Sequence, residues 1–237
     1  MYRYETHLHT SPVSACARKT VRENLEFYRD IGYAGVFITN HFLDGNFAAR
    51  NDESMSYEDK IRFYCGDFEE GEKLAKEIGI DVFFGVELSY KGTDFLVYGL
   101  GKDWFLAHPE IMEMKKSDEL RFMTSEGAFI VQAHPFREKS YIDHVRLFPR
   151  CVHGVEVINA SLGEFENRMA DYYAGAYGLC RTAGSDNHSA GNAKRLAGVE
   201  FETPLRDVAD YTARVRAGEG RLFTVDRTEE AVSMRRD

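Results

Sequence analysis

Glu5-Thr6-His7-Leu8-His9-Thr10-Ser11 is the stretch on which the reading of the fold turns. It closes a short apolar run, residues 2–9, that reads as a β-strand. Side chains alternate along a strand, so residues two apart share a face. His7 and His9 therefore point the same way and can bind one ion. The arrangement returns late in the chain, where Gly184-Ser185-Asp186-Asn187-His188 closes the run 179–186 with a second pair spaced by two. Between them, His41 ends the run 35–41, Glu87 ends Val82-Phe83-Phe84-Gly85-Val86-Glu87 within 81–90, and His134 ends 128–134 just before Pro135. Further strands are expected at 94–100 and 154–160.

Amphipathic stretches fill the gaps: 21–32, 58–79, 109–127, 164–177 and 205–217 read as helices. Thr20 can cap the first, with Glu23 as its capping-box partner, and Gly32, Gly79 and Gly127 fall where C-caps are expected. The order of strands and helices predicts an α/β fold of parallel strands joined by crossover helices. No linker, repeat or low-complexity tract interrupts it, so residues 1–237 read as one domain. In a barrel of this kind the C-terminal strand ends converge on one mouth. His7, His9, His41, Glu87, His134, Asp186 and His188 would meet there. Imidazole and carboxylate are the usual ligands of zinc, iron and manganese, and cations would remove the cost of burying the acids. One histidine at a strand end is ordinarily structural; it is the recurrence that points to metal. His108 and His144 read as surface residues, and His153 lies at the opposite end of its strand. The polar connection 44–57 reads either as a functional lid or as an exposed insertion.

With 30 Lys plus Arg against 39 Asp plus Glu, the net charge is −9, which argues against a nucleic-acid binder with a broad basic face. Arg227 and the Arg235-Arg236 pair are too few to change that. The composition, 43% hydrophobic and 29% charged, excludes disorder and a disulfide-stapled miniprotein. No apolar run reaches membrane-spanning length. Met1 to Thr10 lacks the apolar core of a signal peptide. Cys16, Cys65, Cys151 and Cys180 form no CxxC pair, so they read as reduced thiols of a cytoplasmic protein.

Five motifs in this order resemble the PHP superfamily (polymerase and histidinol phosphatase). They are His7-Leu8-His9-Thr10-Ser11, Thr39-Asn40-His41, Gly85-Val86-Glu87, His134-Pro135 and Gly184-Ser185-Asp186-Asn187-His188. The resemblance runs from Glu5 to about Asn192. It implies a distorted (β/α)7 TIM-like barrel, two or three divalent ions (zinc, iron or manganese) and hydrolysis of phosphate esters. It further implies one ion site at His7, His9, Glu87 and Asp186, and a second at Glu87, Asp94 and His134. A third would use Cys16, His41 and His188. Asp186, His188 and His41 are the candidate catalytic groups, with a metal-bridged hydroxide as nucleophile.

Two positions depart from the family pattern. Ser14-Ala15-Cys16 stands where a His or Asp often follows the first motif; Cys16 reads equally as a thiolate ligand or as a small buried residue. Asp94 stands where the family often has a His, and a carboxylate can replace it. Arg18, Lys19 and Arg137 lie beside the motifs and read either as phosphate contacts or as ordinary surface cations. Glu156 and Asn159, ending 154–160, are expected to support ligands rather than bind metal. The expected substrate is a small phosphomonoester, such as histidinol phosphate or a nucleotide, with no long nucleic acid and no membrane as partner. The alternatives are phosphodiester or exonuclease-type cleavage, a protein-tyrosine phosphatase, and a metal-binding module without turnover.

Overall fold

A computed structural model describes residues 1–227. Arg235, Arg236 and the rest of 228–237 lie outside the described residues. The strands are β1 (Tyr2–Leu8), β2 (Gly35–Ile38), β3 (Asp81–Tyr90), β4 (Thr93–Tyr98), β5 (Phe129–Ala133), β6 (Gly154–Asn159), β7 (Cys180–Gly184), β8 (Arg195–Phe201) and β9 (Arg221–Asp226). The helices are α1 (Val21–Asp30), α2 (Tyr57–Ile78), α3 (Lys102–Ala107), α4 (Lys116–Ser125), α5 (Glu164–Tyr177) and α6 (Val208–Ala217).

Among the described residues, the strands form one sheet in the order β7-β6-β5-β4-β3-β2-β1-β8-β9. The sheet curls until its far strand meets β1. Leu8 and Asn187 bridge in parallel, His9 N donates to Asn187 O (3.1 Å) and Asn187 N to His7 O (3.3 Å). The result is a nearly closed barrel. On its concave side Phe37 of β2 packs edge-to-face against Tyr98 of β4, two strands away, and tilted against Tyr211 of α6. Outside, α1 buries Val21, Asn24, Leu25, Phe27 and Tyr28. That i, i+3, i+4, i+7 stripe faces the sheet, and each fully buried Leu or Phe is worth about 1.5–3 kcal/mol. Thr20 and Glu23 form the expected capping box. Gly79 is the left-handed C-cap of α2, and Gly32 and Gly127 take positive φ just past their helices.

The expected parallel strand–helix alternation holds only in part. β1–β3 and β5–β7 are parallel, but β4 is antiparallel to both neighbours. β3 runs through Lys91-Gly92, both at positive φ, straight back into β4. A two-residue turn of this kind makes a hairpin and leaves no room for a crossover helix. β5 likewise reaches β6 without a helix. β3 also extends three residues past Glu87, so Glu87 lies within the strand rather than closing it. The helix expected at 109–127 breaks at Met114, whose extended backbone divides a 3-10 turn (Pro109–Glu113) from α4. β8 and β9 extend the sheet beyond β1, antiparallel, and were not foreseen. Gly198 dilutes the strand pattern of β8. It is needed because a Cβ there would sit 2.2 Å from Tyr4 O. No helix of the described residues is long and apolar enough to cross a membrane.

Candidate metal centre

The register of β1 against β2 shifts between Glu5 and Leu8, a bulge of the kind that re-aims side chains near functional sites. Before it, Tyr4 packs with the concave aromatic cluster; after it, Leu8 packs outward with Leu25, Val36 and Ile38. His7 and His9 thereby turn together into the barrel, and their Nε2 atoms stand 3.2 Å apart. Glu87 reaches both, with Oε1 3.1 Å from His7 Nε2 and Oε2 3.3 Å from His9 Nε2. Asp186 Oδ1 lies 3.5 Å from His7 Nε2 and 3.3 Å from His9 Nε2. His134 Nε2 is 3.2 Å from Glu87 Oε1, 3.7 Å from Asp94 Oδ2 and 3.9 Å from Asp186 Oδ2. His41 Nδ1 is 2.7 Å from Glu87 Oε2. Asp94 joins this rim because β4 runs backwards: its first residues pair with Ser89 near the end of β3 and Ala133 at the end of β5. His7, His9 and Glu87 have no exposed surface.

Neighbouring groups set which ring nitrogens face the centre. His7 Nδ1 is 2.9 Å from Glu156 Oε1, so in neutral His7 Nδ1–H donates there and Nε2 carries the lone pair. His9 Nδ1 is 3.0 Å from Ser14 Oγ, whose own hydrogen goes to Asn40 Oδ1 at 2.8 Å. The hydroxyl can only accept from His9, so His9 Nε2 also carries a lone pair. Glu156 Oε2 accepts from His134 N (3.1 Å) and Asn159 Nδ2 (2.9 Å). Only glycine fits at 184, where a Cβ would lie 2.5 Å from His7 Cβ and 2.7 Å from Glu156 Oε1. His134 and Asp186 take positive φ, 28° and 52°. Such backbone costs about 1–3 kcal/mol per residue and collects at functional sites.

The charges are strongly coupled. Burial opposes a charged His7, but Glu156, Asp186 and Glu87 outweigh it and hold His7 well above the usual imidazole range. Burial, then His188 and His41, push His9 well below it. Burial opposes ionised Glu87, yet His41 and His7 hold it well below the usual carboxylate range. Burial and then the Glu87 charge push Asp94 up. Cys16 is half-buried; burial disfavours its thiolate, but His188 and His41 beside the sulfur bring the thiol down to about 6.

Three clusters of donor atoms lie close enough to hold an ion: His7, His9 and Glu87; Glu87, Asp94 and His134; and His9, His41 and His188. Atoms of His7, His134 and Glu156 also cluster, though Glu156 meets His7 through Nδ1. The structure thus brings together the side chains of the first two expected groups, and sets Cys16 beside His41 and His188. Arg137 donates to Asp94 Oδ2 at 2.8 Å. Arg18 is exposed and reaches the rim through its backbone, its N donating to His188 O. Lys19 instead pairs with Glu23 on α1. The 44–57 connection is pinned rather than free at its start. Asp44 accepts from Ser89 N and binds Lys116, and Phe47 is buried. His144 is exposed, as expected, whereas His108 is half-buried against Trp104. His153 accepts from Ile130 N, away from the rim.

Sequence reasoning missed Glu5, Ser14 and Asp67. Glu5 is fully buried and accepts from His7 N, Ser185 N and Tyr28 Oη, tying the first motif to the last. Burial pushes its carboxyl up to about 7. Asp67 of α2 accepts from Thr10 Oγ1 and Asn40 Nδ2. A buried acid in an apolar helix face was the available signal for Asp67.

No family profile and no curated protein sequence matches the chain. Solved structures do. A two-domain protein of Bacteroides vulgatus containing a predicted PHP-like metal-dependent phosphoesterase matches with TM-score 0.67 at 19% identity, over 94% of this chain and 64% of its own. This chain therefore spans less than two thirds of that protein. PsfC of Pseudomonas syringae matches with TM-score 0.62 at 16% identity, over 99% and 95% of the two chains. The lesion-specific endonuclease EndoQ of Pyrococcus furiosus matches with TM-score 0.56 at 11% identity, over 93% and 57%. At these identities the likeness is one of fold, and it agrees with the five motifs: this chain has the fold of the PHP-like proteins.

Proposed function

We propose that the protein hydrolyses a small phosphomonoester using two divalent ions, zinc, iron or manganese, held at this rim. One observation carries the reading. Two buried imidazole nitrogens, His7 Nε2 and His9 Nε2, each bearing a lone pair when its ring is neutral, face each other at 3.2 Å, with carboxylate oxygens of Glu87 and Asp186 within 3.5 Å. Acceptors so placed repel one another. A proton on one nitrogen relieves one contact; a divalent cation relieves them all. Glu87 Oε2 and His41 Nδ1 are buried 2.7 Å apart without the alignment of a hydrogen bond.

His7, His9, Glu87 and Asp186 would hold one ion, and Glu87, Asp94 and His134 the other. Bound there, the ions supply an activated water at neutral pH and offset charge on the phosphoryl oxygens. The remaining work belongs to the chain. Glu156 and Ser14 orient His7 and His9. Asn159 and Ser161 donate to Asp186 Oδ2 at 3.4 Å each and so hold Oδ1 toward His7 and His9. Arg137, half-buried and donating to Asp94 through one nitrogen, would offer its remaining N–H groups to the phosphate. His41 and His188 form the more exposed side of the rim, where substrate enters. The net charge of −9 favours a small substrate over long nucleic acid.

The test is phosphate release from a panel of phosphomonoesters by chelator-stripped protein given Zn, Fe(II) or Mn, beside the matching diesters. Metal-dependent turnover of a monoester supports the reading. Cleavage of diesters alone, or no metal-dependent cleavage at all, refutes it.

A further inference from the structure

We infer that Asp67, on α2, is a positioning residue that fixes which nitrogen His9 gives to its ion, acting through Asn40 and Ser14; this rests on the metal-centre reading above. His7 has a carboxylate directly behind it, Glu156. His9 has only a hydroxyl, Ser14 Oγ, 3.0 Å from its Nδ1. A hydroxyl both donates and accepts, so by itself it leaves the His9 tautomer open. The choice is made further back.

Ser14 Oγ lies 2.8 Å from Asn40 Oδ1, an atom that can only accept, and itself accepts from His41 N at 3.0 Å. Its hydrogen therefore goes to Asn40 and one lone pair to the His41 N–H. The remaining lone pair faces His9 Nδ1, which must then carry the proton. All of this holds only while Asn40 keeps its oxygen toward Ser14. Two groups enforce that orientation. Thr10 N, which can only donate, reaches Asn40 Oδ1 at 2.7 Å. Asp67 Oδ2 accepts from Asn40 Nδ2 at 3.1 Å and from Thr10 Oγ1 at 2.6 Å. Thr10 Oγ1, its hydrogen committed to Asp67, accepts in turn from Asn40 Nδ2 at 2.8 Å. With the amide turned over, Nδ2 would face the Thr10 N–H and Oδ1 would face a carboxylate, so both ends would repel.

His9, Thr10, Ser14, Asn40 and Asp67 are each at most 3% exposed, so bulk solvent does not reach them. In such a network the hydrogen bonds strengthen one another and an unmet group is costly. The same helix also holds the Asn40 backbone, Tyr64 Oη donating to Asn40 O at 2.6 Å. Tyr64 and Asp67 lie about one turn apart on α2 and grip the chain just past β2 together. Each of the two facing histidines is thus set by a buried acid: His7 by Glu156 at first hand, His9 by Asp67 through two neutral groups.

The test follows the ring N–H groups of zinc-loaded full-length protein, carrying isotope-labelled histidine, by NMR, with zinc affinity measured against a chromophoric chelator. The native chain should show slowly exchanging Nδ1–H signals for both His7 and His9, each bound to zinc through Nε2. Asp67→Ala removes the acceptor without adding bulk. It should weaken zinc binding about 10-fold, the lower end of the cost of losing support behind a metal-bound histidine. The His9 signal should be lost to exchange while the His7 signal, held by Glu156, stays. Asn40→Asp/Asp67→Asn exchanges acid and amide and still turns an oxygen toward Ser14 and Thr10 N. It should keep the His9 signal and the native affinity. An unchanged His9 signal and affinity in Asp67→Ala overturns the inference, as does loss of the His7 and His9 signals together, which is the mark of general loosening. Zinc bound through His9 Nδ1 in the native chain overturns it too and leaves the metal centre standing. If Asp67→Ala does not fold by circular dichroism, the exchange variant decides: a folded one without the His9 signal overturns the inference, and one with it supports it. A native chain that binds no zinc refutes the metal-centre reading itself.

Discussion

His7 Nδ1 sits 2.9 Å from Glu156 Oε1, and that contact turns His7 Nε2 toward His9. Glu156 belongs to β6, far from His7 in sequence, yet decides what His7 can bind. Glu156→Gln should weaken metal binding about 10–100-fold, the usual cost of losing the partner behind a metal-bound histidine. An amide has one oxygen, while Glu156 meets His7 with one oxygen and two donors with the other. Competition against a chromophoric chelator measures the change. Unchanged affinity would show that the contact does not orient His7.

Gly184→Ala should disturb the same contact by volume alone, since its methyl would overlap His7 Cβ and Glu156 Oε1. Overpacking of this kind costs about 1–3 kcal/mol, and metal affinity should fall with it. Gly66→Ala is the control. It lies within α2 with nothing near the added carbon, and should stabilise by about 0.4–1 kcal/mol. Urea midpoints of the two variants should move in opposite directions.

Bound metal should appear as thermal stability. A ligand present at 100 times its Kd adds about 2.7 kcal/mol. For a chain of this size each kcal/mol raises Tm by roughly 2–4 °C, so a rise of roughly 5–10 °C is expected with the preferred ion. Asp186→Asn should lose most of it. A Tm indifferent to zinc, iron and manganese would count against the two-ion site.

Arg137→Ala should leave the two ions bound and raise KM for a phosphomonoester by roughly 10–100-fold, the range of a lost charge-assisted hydrogen bond. Arg137→Lys should recover only part, because a point charge does not replace the fork. Steady-state kinetics at fixed metal resolves this. A drop in kcat with KM unchanged would move Arg137 out of substrate binding.

Glu119 shares the buried Lys116 with Asp44. Burial pushes its carboxyl up from 4.5 to about 7, and Lys116 only partly opposes this. A carboxyl raised in the folded state contributes stability below its unfolded value and loses it as pH rises through the folded one. Stability should therefore decline between about pH 4.5 and 7, by at most about 3 kcal/mol. Glu119→Gln should flatten that part of the profile. Parallel slopes for the two proteins in chemical denaturation would exclude Glu119 as the source.

Much of the rim was legible in the chain because the signals there are local. A period of two placed His7 with His9, and strand-ending motifs flagged His41, His134 and Asp186. Glu87 was flagged as the end of an apolar run; its strand runs on to Tyr90, but its neighbour β2 stops at Ile38 and leaves Glu87 at the rim beside His41. Lys19 misled, since an i,i+4 partner on α1 holds it. Glu5, Ser14 and Asp67 escaped notice because their partners are distant in sequence or are backbone groups, which composition does not reveal.

By itself, then, the amino-acid sequence determined that His7, His9, His41, His134, Asp186 and His188 stand at or just past strand ends and that the fold is α/β. These are consequences of side-chain periodicity and capping, which act over a few residues. Only the tertiary structure decided that β4 runs backwards, which carries Asp94 to the rim from the start of its strand. Only it decided that β1 bulges between Glu5 and Leu8, that β7 returns to β1, and that Glu156 and Ser14 choose the nitrogens His7 and His9 present. The reason is physical: strand direction, register and hydrogen-bond partners are settled by which distant backbone and side-chain groups must be satisfied together, and no local pattern encodes that.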